Sequence, residues 1–409
     1  MSKITGINAK EILDSRGIPT IEVELSMKDK KVYASVPSGT SSGIYEALEL
    51  RDGDSKRYNG KGVLKAIKNI KKIIAPALIS KNPEKQKEID EIMIKLDGTE
   101  NKSKLGANAI LAVSIAVCRA GAVSKNLPLY KYISKLSKNK PKMPVPLILM
   151  LEGGKHANNS SDLQEFMIAP CKAKSFREAI KIGEEIYFNV RNIVKNQEIG
   201  MEGAFKAEVN SNKEVFEILA KAIQAKEVKI AIDSAASEFY KNNLYNLKTD
   251  KKILTSQELE FYYLKLIKDY KLFSIEDCFE QDDFSAWRNF NKKIGNKLQI
   301  VGDDLLVTNK KRINLAIKNK LCNAMILKIN QIGTISEAIE AGNLAKKAGW
   351  NIIVSHRSGE TEDDFIADLA VGLGAEEVKI GAPSKKERLA KYKRLLEIEE
   401  SSKIKYLGI

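Results

Sequence analysis

The 409-residue chain has only two histidines and four cysteines. Cys118, Cys171, Cys278 and Cys322 are far apart and form no C-x-x-C pair, so they read as reduced, mostly buried thiols. A chain of this length buries a large core without disulfide staples. No run approaches eighteen consecutive apolar residues, so no membrane span is expected. The first residues, MSKITGINAKEILDSRG, lack the apolar core of a secretory signal, and a cytoplasmic protein is expected. The net charge is +15, yet no dense basic block is interleaved with aromatics, which argues against a nucleic-acid partner. Lysines spread over solvated helix faces account for that charge, and the resulting positive field favours an anionic substrate. No glycine-rich dinucleotide fingerprint follows the early strands, which weighs against a doubly wound open sheet.

What is present divides into two parts. Residues 1–135 hold two strand-like segments, TIEVELSM and KVYASVPS, followed by helical patterns in GVLKAIKNIKKIIAPAL, PEKQKEIDEIMIKL and ANAILAVSIAVCRAGAVSK. This predicts a small N-terminal α+β capping domain. SKLSKNKPKMPVP (134–146), rich in Lys, Ser and Pro, reads as the linker. From 136 to 409 the pattern changes to short apolar runs separated by amphipathic stretches. The runs are VPLILML, EFMIAP, VKIAID, LFSIED, LQIVGDD, AMILKIN, NIIVSH and EVKIGA. Such alternation predicts a parallel sheet, and eight strands predict a closed (β/α)8-type barrel.

Polar residues at the ends of the last six runs stand out: Asp233, Glu276, Asp303, Lys328, His356 and Lys379. The steps between them are 43, 27, 25, 28 and 23 residues, and all but the first fit one helix plus one strand. Taken singly, an Asp after a strand is an ordinary helix N-cap and a Lys usually reaches solvent. Six in succession would meet on the face where barrel enzymes place their sites. Three carboxylates without a thiolate or histidine cluster favour a hard divalent cation such as Mg²⁺. Lys328 and Lys379 would be neighbours, and mutual repulsion would lower a lysine pKa toward that of a general base. That set suits removal of a proton α to a carboxylate, which needs fixed positive charge nearby.

Over nearly its whole length the sequence resembles the enolase family. The motifs are ILDSRGIPTIEV (12–23), PSGTSSGIYEALELRDGD (37–54), LGANAILAVSIA (105–116), HANNSSDLQEFMI (156–168), AIDSAASEFY (231–240), SIEDCFEQDD (274–283), VGDDLLVTN (301–309), LKINQIGT (327–334), SHRSGETEDDFIADLAVGLGA (355–375) and KIGAPSKKERLAKY (379–392). A lysine base working with Mg²⁺ is a known pattern of enolase-superfamily sites, so that pairing comes with the resemblance. The resemblance implies reversible dehydration of 2-phosphoglycerate to phosphoenolpyruvate in glycolysis and gluconeogenesis, with two Mg²⁺ per site. It implies that Asp233, Glu276 and Asp303 bind one Mg²⁺ and that Ser41, on an N-terminal loop, helps bind the second. Lys328 would be the base, and Glu202 the acid, helped by Glu165. Lys379 would hold the substrate carboxylate, Arg357 and Ser358 its phosphate, and His156 would close over it. His356 joins the substrate-contacting set, so both histidines would sit on glycine-flanked loops that approach the ligand closely. A homodimer or higher homo-oligomer is implied as well.

The chain also departs from the family pattern. GMEGAFKAEV stands where the family has GDEGGFAPN, so Met201 replaces an acid, Ala204 a glycine, and Lys206-Ala207 an Ala-Pro pair. Ala204 would be strained if its position required positive φ. Glu152 replaces Asn before the first histidine, Ile18 replaces Asn, and Cys278 replaces Pro. Two other readings are a racemase or epimerase acting on another carboxylate, and a non-catalytic enolase-like binding protein. The serine loop with SHRSGE weighs against the first. The retained lysines and carboxylates weigh against the second.

Overall fold

The computed structural model describes residues 3–39, 43–157, 160–195 and 197–408. Three antiparallel strands open the chain, β1 (Ile4–Leu13), β2 (Pro19–Met27) and β3 (Lys30–Ser35). The sequence pattern gives two of them. β1 buries only Ile4 and Ala9 along its length, so it carries no alternation to read. Asp14 shapes the turn into β2 by accepting N–H bonds from Arg16 and Ile18 at 2.8 and 3.0 Å.

Helix Ala107–Ser124 packs beneath this sheet. Among the described residues it is the one helix long and apolar enough to cross a bilayer, and 83% of it is buried inside the protein. The stretch 134–146 is only partly a linker: it finishes the helix Leu129–Ser137 and its last two residues begin β4.

Eight strands then close a barrel: β4 (Val145–Glu152), β5 (Glu165–Ala169), β6 (Lys229–Asp233), β7 (Leu272–Glu276), β8 (Gln299–Gly302), β9 (Ala324–Leu327), β10 (Asn351–Ser355) and β11 (Glu377–Lys379). Each pairs with its neighbour in chain order, and β11 pairs with β4 to close the ring. Their apolar runs are continuous because both faces are covered; all eight residues of β4 are buried. The sheet is not wholly parallel, in contrast to the expectation from the apolar pattern. β5 runs antiparallel to both β4 and β6. Glu152 and Glu165 are only thirteen positions apart; a reversed strand needs no crossover helix in that space, whereas a parallel return does.

One carboxylate ties the two domains together. Asp363, beyond the end of β10, accepts from Ser35 N (2.9 Å) and from both Arg119 terminal nitrogens (2.6 and 2.9 Å). Burial alone would raise its pKa, but the charge and hydrogen bonds of Arg119 outweigh burial and hold it below 3.8. Asp363→Ala is expected to cost roughly 3 kcal/mol at neutral pH. Because the folded value is depressed, this contribution is present above 3.8 and fades as the pH falls below it. Urea unfolding of parent and variant in neutral and acidic buffer checks this; a difference that does not shrink in acid would contradict it.

Candidate active site

Strand register explains how the acids meet. Glu152 lies opposite Glu165, Glu165 opposite Asp233, and Asp233 opposite Glu276. Four carboxylates from four strands therefore share one level at the barrel mouth. Glu165 begins its strand while the others end theirs, and the reversal of β5 brings that first residue to the same face. Asp303, Lys328 and His356 each directly follow a strand, and Lys379 ends β11. All six run-end positions thus reach one region. Lys379 Nζ lies 2.8 Å from Glu276, 3.0 Å from Glu165 and 3.1 Å from Asp233. Lys328 pairs with Asp303, and Gln331 donates to the other Asp303 oxygen at 2.8 Å.

The cleft is strongly acidic. Among the described residues, Glu46, Glu165, Glu202, Glu238, Asp233, Asp277, Asp303 and Asp304 line it against Lys328, Arg357 and Lys379. The cleft lining is thus rich in acids although the chain as a whole is basic. The pair of lysines does not behave as the sequence reading expects. Burial, Arg357 and Lys379 all push the Lys328 pKa down, but the Asp303 carboxylate outweighs them and holds it above the usual lysine range. Asp277, missed in the sequence, fixes the Asp303-Asp304 corner by accepting their N–H groups at 2.9 and 2.8 Å.

Both histidines are buried at the cleft. Burial lowers the pKa of His156; its Nδ1 is 3.9 Å from a Glu152 oxygen and from a Glu165 oxygen. His356 is placed between Arg388, 2.6 Å from its Nδ1, and Glu202, 3.1 Å from its Nε2. A guanidinium only donates, so Nδ1 accepts and Nε2 carries the proton. Burial, aided by Arg388, pushes His356 down to about 4 against the pull of Glu202. Burial also pushes Glu202 up, but His356, His156 and Arg388 together outweigh it and hold it well below the usual carboxylate range. NMR titration should therefore find His356 neutral at pH 6, with Nε2 protonated; a midpoint near the ordinary 6.5 contradicts this.

Arg357 NH1 donates to Glu46 Oε2 at 2.9 Å and to Asn330 at 3.2 Å. Ser358 lines the same wall, and its carbonyl accepts from Arg388. Ser41 lies outside the described residues; its flank is docked at Ser38, which exchanges backbone hydrogen bonds with Gly359 at 2.8 and 3.0 Å. The turn 200–204 delivers Glu202, and its positive φ of 95° falls on Gly203 rather than on Ala204. The condition for strain at Ala204 is therefore not met. Arg388 had a legible signal. It shares a helical face with Tyr392, Leu395 and Ile398, all buried, so a charge there needs buried partners.

Comparison with known families agrees with this arrangement. Residues 4–133 match the enolase N-terminal domain, and residues 140–409 match the enolase C-terminal TIM barrel domain. The chain belongs to the enolase family. Its two domains support a lyase function within the enolase superfamily. Enolases typically bind Mg²⁺, and the residues here fit such an ion. One oxygen of Glu276 is buried without a hydrogen-bond partner among the described residues. Asp277, Asp303 and Asp304 bring ligand atoms within 4.8 Å of one another. An all-oxygen donor set suits a hard cation.

Proposed function

We propose that the chain catalyses the reversible, Mg²⁺-dependent dehydration of 2-phosphoglycerate to phosphoenolpyruvate. The observation that carries this reading is the composition of the cleft: eight carboxylates against three cations, with a lysine and buried glutamates among them. A substrate bearing both a carboxylate and a phosphate enters such a cleft only if cations accompany it. Asp233, Glu276 and Asp303 would hold one Mg²⁺, and Ser41 would help hold a second. When bound, Mg²⁺ supplies the fixed positive charge that a carboxylate needs as its α-proton leaves.

The chain's own groups do the rest. Lys328 takes the proton from C2. Glu202, with Glu165 beside it, gives a proton to the C3 hydroxyl, which departs as water while the C2–C3 double bond forms. Lys379 binds the substrate carboxylate, Arg357 and Ser358 bind the phosphate, and His156 and His356 enclose the reacting carbons. Arg357 must exchange Glu46 for the phosphate, a bidentate acceptor that matches its planar fork. Retention of the phosphate-binding pair favours this reaction over racemisation of a non-phosphorylated acid. Ultraviolet absorbance of the enol phosphate should rise when protein, 2-phosphoglycerate and Mg²⁺ are mixed, and should not rise without Mg²⁺. A flat trace with Mg²⁺ present would refute the proposal.

A further inference from the structure

The turn 200–204 is held from two sides. Its carbonyls are held by groups from around the barrel mouth. Lys385 donates to Gly200 O at 2.8 Å and to Met201 O at 3.2 Å. Ala382 N donates to Glu202 O at 3.1 Å. Tyr187 and Ser384 donate to Gly203 O at 2.7 and 2.6 Å. Its amides are held from β4 by one side chain: Glu152 Oε1 accepts from Glu202 N at 3.1 Å and from Ala204 N at 3.0 Å.

The fit around Glu152 is close. A Cβ added at Gly200 would lie 2.3 Å from Glu152 Cδ and Oε2. Gly200 has no positive φ, so space rather than backbone conformation requires glycine there. The turn continues into Phe205–Lys206, which pairs with Leu151 and Glu152 of β4. Glu152 is 1% exposed, and among the described residues its Oε2 has no hydrogen-bond partner. Burial first, then Glu202, push this carboxyl up to about 8. At neutral pH it therefore keeps its proton and accepts the two amides much as a glutamine would.

We propose that Glu152, which replaces the family's Asn, is a positioning residue: by holding the amides of residues 202 and 204 it sets the place of the Glu202 carboxyl in the cleft. This rests on the reading of Glu202 as the acid. Losing the clamp should impair delivery of the proton to C3 and leave abstraction at C2 intact, because Lys328 stands on a separate strand end, after β9.

E152A, E152Q and G200A test this. E152A should lose on the order of a hundredfold in kcat, with KM little changed, and should keep exchange of the C2 proton with deuterated water. E152Q should restore turnover. G200A places a methyl group where the carboxyl lies, so it should resemble E152A, and in an E152A background it should add little. Amide exchange followed by NMR supplies a readout independent of catalysis: residues 202 and 204 should lose protection in E152A and regain it in E152Q. If E152A fails to fold, G200A carries the same test. Unchanged protection of those two amides, or loss of C2 exchange in parallel with turnover, would overturn the proposal. If the parent itself neither turns over nor exchanges 2-phosphoglycerate, the reading of Glu202 fails, and the amide protection still decides the clamp.

Discussion

Lys328→Ala is expected to abolish turnover and, with it, exchange of the C2 proton of 2-phosphoglycerate. The loss should be on the order of a thousandfold or more, as for removal of a positioned base. Lys328 directly follows β9, paired with Asp303 and repelled by Arg357 and Lys379. Asp303 is also among the residues assigned to Mg²⁺, so a cation there would weaken its hold on the lysine and leave the repulsion in place. Glu202→Gln provides the contrast. It removes the proton needed at C3 but leaves the base, so turnover should fall while much of the C2 exchange survives. Proton NMR in deuterated water separates the two. Exchange at the parent rate in Lys328→Ala would remove Lys328 as base. Full turnover in Glu202→Gln would move the acid elsewhere, with Glu165 the next residue to test.

The second large effect is expected at Asp233. Its Oδ1 accepts from Ala235 N at 2.9 Å, and its Oδ2 faces Lys379 at 3.1 Å. Asp233→Asn keeps an acceptor for the backbone and removes the charge. Losing one buried charged partner costs about 3 kcal/mol, roughly a hundredfold in the Kd for Mg²⁺. Calorimetric titration with Mg²⁺ should show that weakening together with lost activity. Unchanged affinity would remove Asp233 from the metal ligands.

Much of this arrangement was legible in the sequence, because strand ends in a barrel share one face. Asp233, Glu276, Asp303, Lys328, His356 and Lys379 needed only that geometry to be grouped. Glu165 did not follow from it. It starts a run instead of ending one, and its place depends on the reversal of β5, which the apolar pattern does not record. β1 leaves no such mark, because a strand with two buried residues has no period. The Lys328 pKa is hidden from the sequence for a different reason: the spacing of the strand ends places Lys379 beside it, but the Asp303 contact that outweighs their repulsion depends on side-chain positions. Glu152 was visible only as an unusual substitution. Its partners, the amides of 202 and 204, are distant in the chain and are backbone groups, which carry no signature in a sequence.

The most direct test of the central claim is phosphorus NMR of the protein with Mg²⁺, started separately from 2-phosphoglycerate and from phosphoenolpyruvate. The account predicts that both samples converge on one mixture of the two compounds, and that neither changes when Mg²⁺ is chelated. Two spectra that stay at their starting compounds with Mg²⁺ present would contradict it.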